Sequence, residues 1–225
     1  MTYSLYVDHT ECMAARQSQS DDPAHRLASA AVAERAEATR AAIVSAARAL
    51  FVERGYHDTS TEEIVARAAV GTRGALYHHF ADKRALFVAV FEAVEQDLVA
   101  AAGASLADDL SPLEMLRAGL IGFLDASLTP EVQRVLLIDG PAVLGWQEWR
   151  AIEARYGLGG IQAMLELAMA DGSLPSQPSA ALAHILLAAA DEAALYIVNA
   201  DDPIAAREQS VTAINNLLRG LSGAT

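Results

Sequence analysis

The sequence predicts an all-α protein, built as a small N-terminal three-helix module followed by a larger helical block. Three observations carry that prediction. Apolar residues make up 53% of the 225 positions and aromatics only 6%, so alanine and leucine must fill the core, and both favour helix over strand. Apolar side chains recur with a 3.6-residue period, and no segment alternates over a useful length. Helix-start signals also recur between the periodic runs.

The elements follow in order. Residues 1–34 are polar, with little periodicity until about Ala28, and read as a disordered or partly helical arm. From Arg35, the positions Ile43, Ala46, Ala47, Leu50 and Phe51 share one helical face, and Gly55 ends that helix. Ser60 with Glu63 forms a capping box for a second helix, in which Ile64 and Ala68 face inward. Val70-Gly71 makes a turn and Thr72 caps a third helix. Asp82 caps a longer helix, from Lys83 to about Ala101. Ser111-Pro112-Leu113-Glu114 starts a helix running to about Ser127, and Thr129-Pro130-Glu131 starts the next. Gly140-Pro141 is expected to interrupt that helix. A helix with Trp146, Trp149, Ile152 and Tyr156 follows, weakened by Gly157, Gly159 and Gly160. Helices from about Ser179 to Asn199 and from Pro203 to Leu221 complete the chain. The domain boundaries are therefore an arm over 1–34, a small module over 35–82 and a large helical domain over 83–225.

Composition removes several function classes. One cysteine, Cys12, rules out an internal disulfide framework, and no CxxC pair exists for zinc. No GxSxG, HExxH, Walker loop or GxGxxG occurs, and the six histidines show no ligand or triad spacing, so neither an enzyme, a cofactor nor a metal is expected. The window Ala180–Ala200 is long enough to span a membrane but carries His184, Asp191, Glu192 and Asn199. A mid-bilayer carboxylate costs about 2.5–3.5 kcal/mol, so a buried helix is the expectation. With no secretory leader pattern at the N-terminus, a cytoplasmic location is expected.

The segment from Thr59 to Phe87 reads as two short helices joined by a tight turn, the arrangement that presents a recognition helix to a DNA groove. The formal charge of -13 has the wrong sign for a phosphate binder. It is unevenly spread. Arg35 to Val90 carries eight basic and six acidic residues, a net +2 that leaves −15 to the rest. The acidity therefore lies outside the module, which can still meet DNA through a basic face.

Within that module, Ala47-x-x-Leu50-Phe51, Gly55-Tyr56, Thr59-Ser60, Ile64, the run from Arg73 to Phe80 (RGALYHHF) and Lys83-x-x-Leu86 resemble the TetR family of transcriptional repressors. The resemblance covers about Arg40 to Phe87. Residues 139–160 more weakly resemble a ligand-domain subgroup of that family. The family's turn usually has Gly where this chain has Val70, so Gly71 is expected to take the positive-φ position instead.

Each candidate contact has its chemistry. Gly74 and Ala75 let the helix backbone approach the groove, and Arg73 is the long donor suited to guanine O6/N7. Thr72 caps the helix and can also bond a phosphate. Tyr77 packs its ring while its hydroxyl reaches the backbone, and His78 can donate to the same strand. Lys83 stands at a helix N-terminus that favours phosphate. Thr59 and Ser60 start the preceding helix and offer a second phosphate contact, and Arg40 reaches the backbone from the first helix.

The large block has two natural roles, dimerisation and sensing. The last two helices carry broad apolar faces, with Ile185, Ala189, Val211, Ile214 and Leu218 as candidates for a two-fold four-helix interface, or alternatively for an intrachain core. The resemblance implies a small hydrophobic or amphipathic ligand held between helices. Leu120, Phe123, Leu124, Leu137, Trp146, Trp149, Tyr156 and Asp191 are candidates to line its pocket or simply to pack. The full expectation is a homodimer released by ligand from an inverted-repeat operator. The rival reading is a helical interaction protein with weak or lost DNA binding.

Overall fold

A computed structural model describes residues 23–104 and 109–223. Among these residues every regular element is a helix. The arm expected over 1–34 is helical from Pro23, and residues 1–22 lie outside the described residues.

Helix α1 (Pro23–Arg54) has two characters. From Arg26 to Ala38 every side chain is exposed, so this half is helical by its alanine- and glutamate-rich propensity rather than by packing. From Ile43 onward it buries Ala46, Ala47, Leu50 and Phe51. Helices α2 (Thr61–Ala68) and α3 (Arg73–His79) cross beneath it and contribute Ile64 and Leu76 to the same core.

Helix α4 (Lys83–Ala104) joins this module to the rest of the chain. Phe87 sits 5.5 Å from Phe51 and 5.2 Å from Tyr56, ring centre to ring centre, and Phe91 continues the row at 6.4 Å. One core therefore runs from the module into the larger domain, and α4 is its spine.

Helix α5 (Pro112–Ala126) starts at the Ser111 capping box, as expected. Helix α6 is wound as a π-helix over Val132–Asp139 and as an α-helix over Gly140–Leu144. The expected break at Gly140-Pro141 is absent. The chain turns instead at Gly145, where φ is +77°. Helix α7 comprises Trp146–Glu153, a π-helical stretch over Ala154–Leu158, and Gly159–Ala170. Helices α8 (Ser179–Val198) and α9 (Pro203–Leu221) pack on each other and on α5, and α8 also packs on α7. Asp202 caps α9 by accepting from the amides of Ile204 and Ala205.

Helix α8 is long and apolar enough to cross a membrane. Of its two mid-helix acids, Asp191 is buried and ion-paired with Arg150 of α7, while Glu192 is exposed.

Candidate nucleic-acid interface and apolar cavity

The module's local structure follows from its caps. The Ser60 hydroxyl accepts from the Glu63 amide at 3.2 Å, while the Glu63 carboxylate accepts from the Ser60 amide at 2.9 Å. The Thr72 hydroxyl accepts from the Ala75 amide at 3.3 Å and starts α3. Between the two helices, Gly71 has φ +85°, so the expected switch of the positive-φ position to Gly71 holds. The turn also places Ala69 at φ +55°, which costs about 1–2 kcal/mol for a residue with a Cβ. Val70 uses this geometry to pack, half-buried, on the core.

Helix α3 shows Thr72, Arg73, Gly74, Tyr77 and His78 along one exposed edge, with Ala75 half-buried beside them. Leu76 and Phe80 anchor the opposite side. The Arg73 guanidinium lies 5.7 Å from the centre of the Tyr77 ring and donates to its hydroxyl at 3.3 Å. This bond holds the Tyr77 phenol below its ordinary value. Arg73 also pairs with Glu62 of α2 at 2.5 Å, a partner that the motif did not reveal. Arg40 stands on α1, exposed, 5.3 Å over the Phe80 ring.

Two expected phosphate contacts are turned inward. Thr59 is 1% exposed, and its hydroxyl donates to the carbonyls of Gly55 at 2.8 Å and Leu50 at 3.3 Å. It is a structural cap of the α1–α2 loop rather than a free donor. The Lys83 ammonium donates to the Thr59 carbonyl at 2.7 Å and sits 4.2 Å over the Tyr56 ring. Burial pulls its pKa down, with Asp139 and Asp58 opposing. Ser60 is half-buried, with its hydroxyl engaged by Glu63.

Two connections fasten this module to the large domain, and a third braces the start of α4 against the α6–α7 corner. The Asp139 carboxylate, 4% exposed, accepts from the Tyr56 amide at 2.7 Å and from Arg134 Nε at 3.1 Å. Gly55, at φ +84°, makes room for this: a Cβ there would lie 1.6 Å from Arg134 Nη2. Arg84, at the start of α4, donates to the carbonyls of Val143 and Leu144 and pairs with Glu148 at 2.5 Å, gripping the α6–α7 corner. Arg48 of α1 joins Glu131 and Asp97, each at 2.5 Å.

In the large domain, α4, α5, α7 and α8 enclose a cavity of about 320 Å³. Of the eight pocket candidates, Leu120, Phe123, Tyr156 and Asp191 line it. Leu124, Leu137, Trp146 and Trp149 do not. Leu124 and Leu137 are core residues, 0% and 2% exposed. Trp149 is buried, its indole N–H donating to the Leu136 carbonyl at 3.1 Å, whereas Trp146 is 65% exposed at the corner.

Two lining acids escaped the sequence reading, Glu95 and Glu153. Both had a signal, because each interrupts an apolar stripe: Phe87, Phe91 and Val94 before Glu95, Trp149 and Ile152 before Glu153. Arg150 pairs with Glu153 at 3.0 Å and with Asp191. Burial pushes Glu153 and Asp191 upward against that pairing. Glu95 is pushed up to about 7, by burial first and the Asp191 charge second. No cluster of His, Cys, Asp and Glu among the described residues is arranged to hold a metal.

The interface candidates divide. Ile214 and Leu218 are 5% and 3% exposed within the single chain, so they belong to the intrachain core, because α9 turns that face onto α5 and α8. Ala189 and Val211 are half-buried. Ile185 stays 60% exposed, and Tyr196, Ile204 and Leu217 join it as exposed large apolar side chains on α8 and α9.

Comparison with known proteins accounts for both halves. Residues 43–90 match the model of bacterial regulatory proteins of the tetR family, and residues 113–221 match a tetracyclin repressor-like C-terminal domain. The chain is 29% identical over 158 residues to the transposon Tn10 TetC protein of Escherichia coli, spanning 68% of this chain and 77% of that one. It is 37% identical over 106 residues to the HTH-type transcriptional repressor BepR of Brucella suis, about half of each chain (46% and 49%). The crystal structure of a TetR-family transcriptional regulator from Pectobacterium atrosepticum superposes with a TM-score of 0.72 at 35% identity, over 84% of this chain and 96% of that one. The exposed edge of α3, the connecting helix α4 and the helical domain with its cavity thus have one common explanation: this chain belongs to the TetR family of bacterial transcriptional regulators.

Proposed function

We propose that the chain is a cytoplasmic repressor that grips an inverted-repeat operator as a homodimer and releases it when a small molecule enters the cavity. The observation that carries this reading is the edge of α3, where Thr72, Arg73, Gly74, Tyr77 and His78 are exposed together on a helix anchored from behind by Leu76 and Phe80. Arg73 reads a base edge and Tyr77 and His78 hold the strand. In the free protein Arg73 is held by Glu62. Both partners are exposed and solvent screens the pair, so DNA can displace it at little cost.

Two recognition helices must be held at a fixed spacing, and Ile185 and Tyr196, exposed on one face of α8, support pairing with a second copy. Release follows from population shift: a ligand lowers operator affinity only by its preference for a conformation with mis-spaced helices. Helix α4 lines the cavity with Glu95 and Leu98 and begins at Lys83, which bonds the Thr59 carbonyl of the module. It is the lever: Asp139 is the point at which α6 bears on the module, and Arg84 the point at which the α6–α7 corner bears on α4.

The test is fluorescence anisotropy on DNA from upstream of the gene encoding the chain. Wild type should bind one sequence well above random DNA. Arg73→Ala should narrow that gap by about 1–3 kcal/mol. An unchanged gap removes Arg73 from base reading. Equal affinity of wild type for all sequences favours the rival reading, a helical sensor without DNA specificity.

A further inference from the structure

We infer that the cavity selects an apolar organic cation, such as a protonated amine on a hydrocarbon body, and seats its charge on Glu95. The inference rests on the reading of this cavity as the ligand site, and adds to it the chemical class of the ligand.

The walls set the first half of the specificity. Leu98, Met115, Leu120, Phe123, Ile161 and Met164 make the lining almost wholly hydrocarbon, so the body of the ligand must be apolar. The second half comes from the balance of charge. Three carboxyl groups face this space, Glu95 from α4, Glu153 from α7 and Asp191 from α8. One guanidinium answers them, and Arg150 is committed to Glu153 and Asp191. Helix α5 contributes Met115, Leu116, Gly119, Leu120 and Phe123, none of them charged. Tyr156, the remaining titratable group of the lining, receives a hydrogen bond from Gln96 at 3.2 Å and offers no positive charge.

Glu95 is therefore left over. It is 7% exposed, lines the cavity, and has no hydrogen-bond or ion-pair partner among the described residues. A largely buried acid without a partner is costly, because its charge has lost most of its water and gained no opposite charge in exchange. A ligand ammonium supplies what is missing: a positive charge, N–H donors and an apolar stem against the walls. A neutral ligand leaves the carboxylate unanswered, and an anion meets three acids against one arginine. Position links this site to the lever, because Glu95 lies on the helix that begins at Lys83 against the module.

The test uses the full-length protein and three ligands of one shape: 4-tert-butylbenzylamine, 4-tert-butylbenzyl alcohol and 4-tert-butylbenzoate. Calorimetry at about pH 8 reads their affinities, and anisotropy reads operator release in the same samples. The amine should bind about ten- to a hundredfold tighter than the alcohol, as a charge-assisted bond to a largely buried carboxylate implies, and the benzoate weakest. In Glu95→Gln the amine's advantage should fall to about threefold or less. The wild-type comparison stands even if that variant folds poorly. If the alcohol equals or exceeds the amine, the inference is overturned while the cavity remains a ligand site. If Glu95→Gln keeps the full preference, Glu95 is not the seat and the inference fails. If the amine binds selectively through Glu95 but leaves operator affinity unchanged, the cation site stands and release by this cavity is the reading that falls. If none of the three binds, the inference is overturned.

Discussion

Removing the Asp139 carboxylate should loosen the DNA-binding module from the domain that controls it. This carboxylate is 4% exposed and takes two hydrogen bonds, from the Tyr56 amide at 2.7 Å and from Arg134 Nε at 3.1 Å. The first joins a backbone donor to a buried charge and is worth about 1.5–3 kcal/mol. The second involves a guanidinium 38% exposed, so solvent screens it to about 1 kcal/mol or less. Asp139→Ala should thus cost about 2–4 kcal/mol, or roughly 4–16 °C in melting temperature for a chain of this size. Asp139→Asn keeps an acceptor for the Tyr56 amide and should recover about half of the loss. Thermal denaturation followed by circular dichroism gives the total. Amide hydrogen exchange at Tyr56 gives the local part, which should quicken in Asp139→Ala more than exchange in the α8–α9 pair. A loss below about 0.5 kcal/mol with unchanged exchange at Tyr56 would refute the claim that this contact fastens the module to the regulatory domain.

Other outcomes follow from the same geometry. Glu62→Gln frees Arg73 from its exposed ion pair and should tighten operator binding by up to about fivefold; unchanged or weaker affinity in a gel-shift titration would show that Glu62 does not compete with DNA. Glu95 is raised in the folded state to about 7 from its ordinary 4.5, so the folded chain holds a proton that the unfolded chain releases, and its contribution is full below about pH 4.5 and lost as pH rises through about 7. Relative to Glu95→Gln, wild type should therefore lose about 1–3 kcal/mol of stability between those pH values, with Asp191, Glu153 and Arg150 present in both proteins; parallel stability-against-pH curves would show that Glu95 is not buried in the way described. Ile185→Glu puts a charge in the middle of the exposed stripe of α8 and should shift sedimentation velocity from dimer to monomer at micromolar concentration, whereas an intact dimer would move the interface elsewhere.

How much was legible in the sequence depended on whether the deciding contact was local. The helix-turn-helix was legible because its signals lie within a few residues of each other: Ser60 with Glu63, Thr72 with Ala75, Gly71 in the turn. Interior positions of the module were legible from period alone. The internal bonds of Thr59 and Lys83 were not legible, because a hydroxyl or ammonium near a helix start reads as free until the folded loop supplies an internal acceptor. Ile214 and Leu218 show a related limit, since periodicity identifies an apolar face but not whether it meets its own chain or a copy. Trp146 and Trp149 are one turn apart, yet the corner at Gly145 buries one and exposes the other. The π-helical winding of Val132–Asp139, which sets the direction of the Asp139 side chain, has no short-range signature.

If the edge of α3, paired across a two-fold axis, reads a specific operator, footprinting on the DNA upstream of the gene, with wild type beside Arg73→Ala, should show protection of two half-sites arranged as an inverted repeat, lost or blurred in the variant at the concentration that protects with wild type. Protection without two-fold symmetry, or an identical footprint from Arg73→Ala, would contradict that reading.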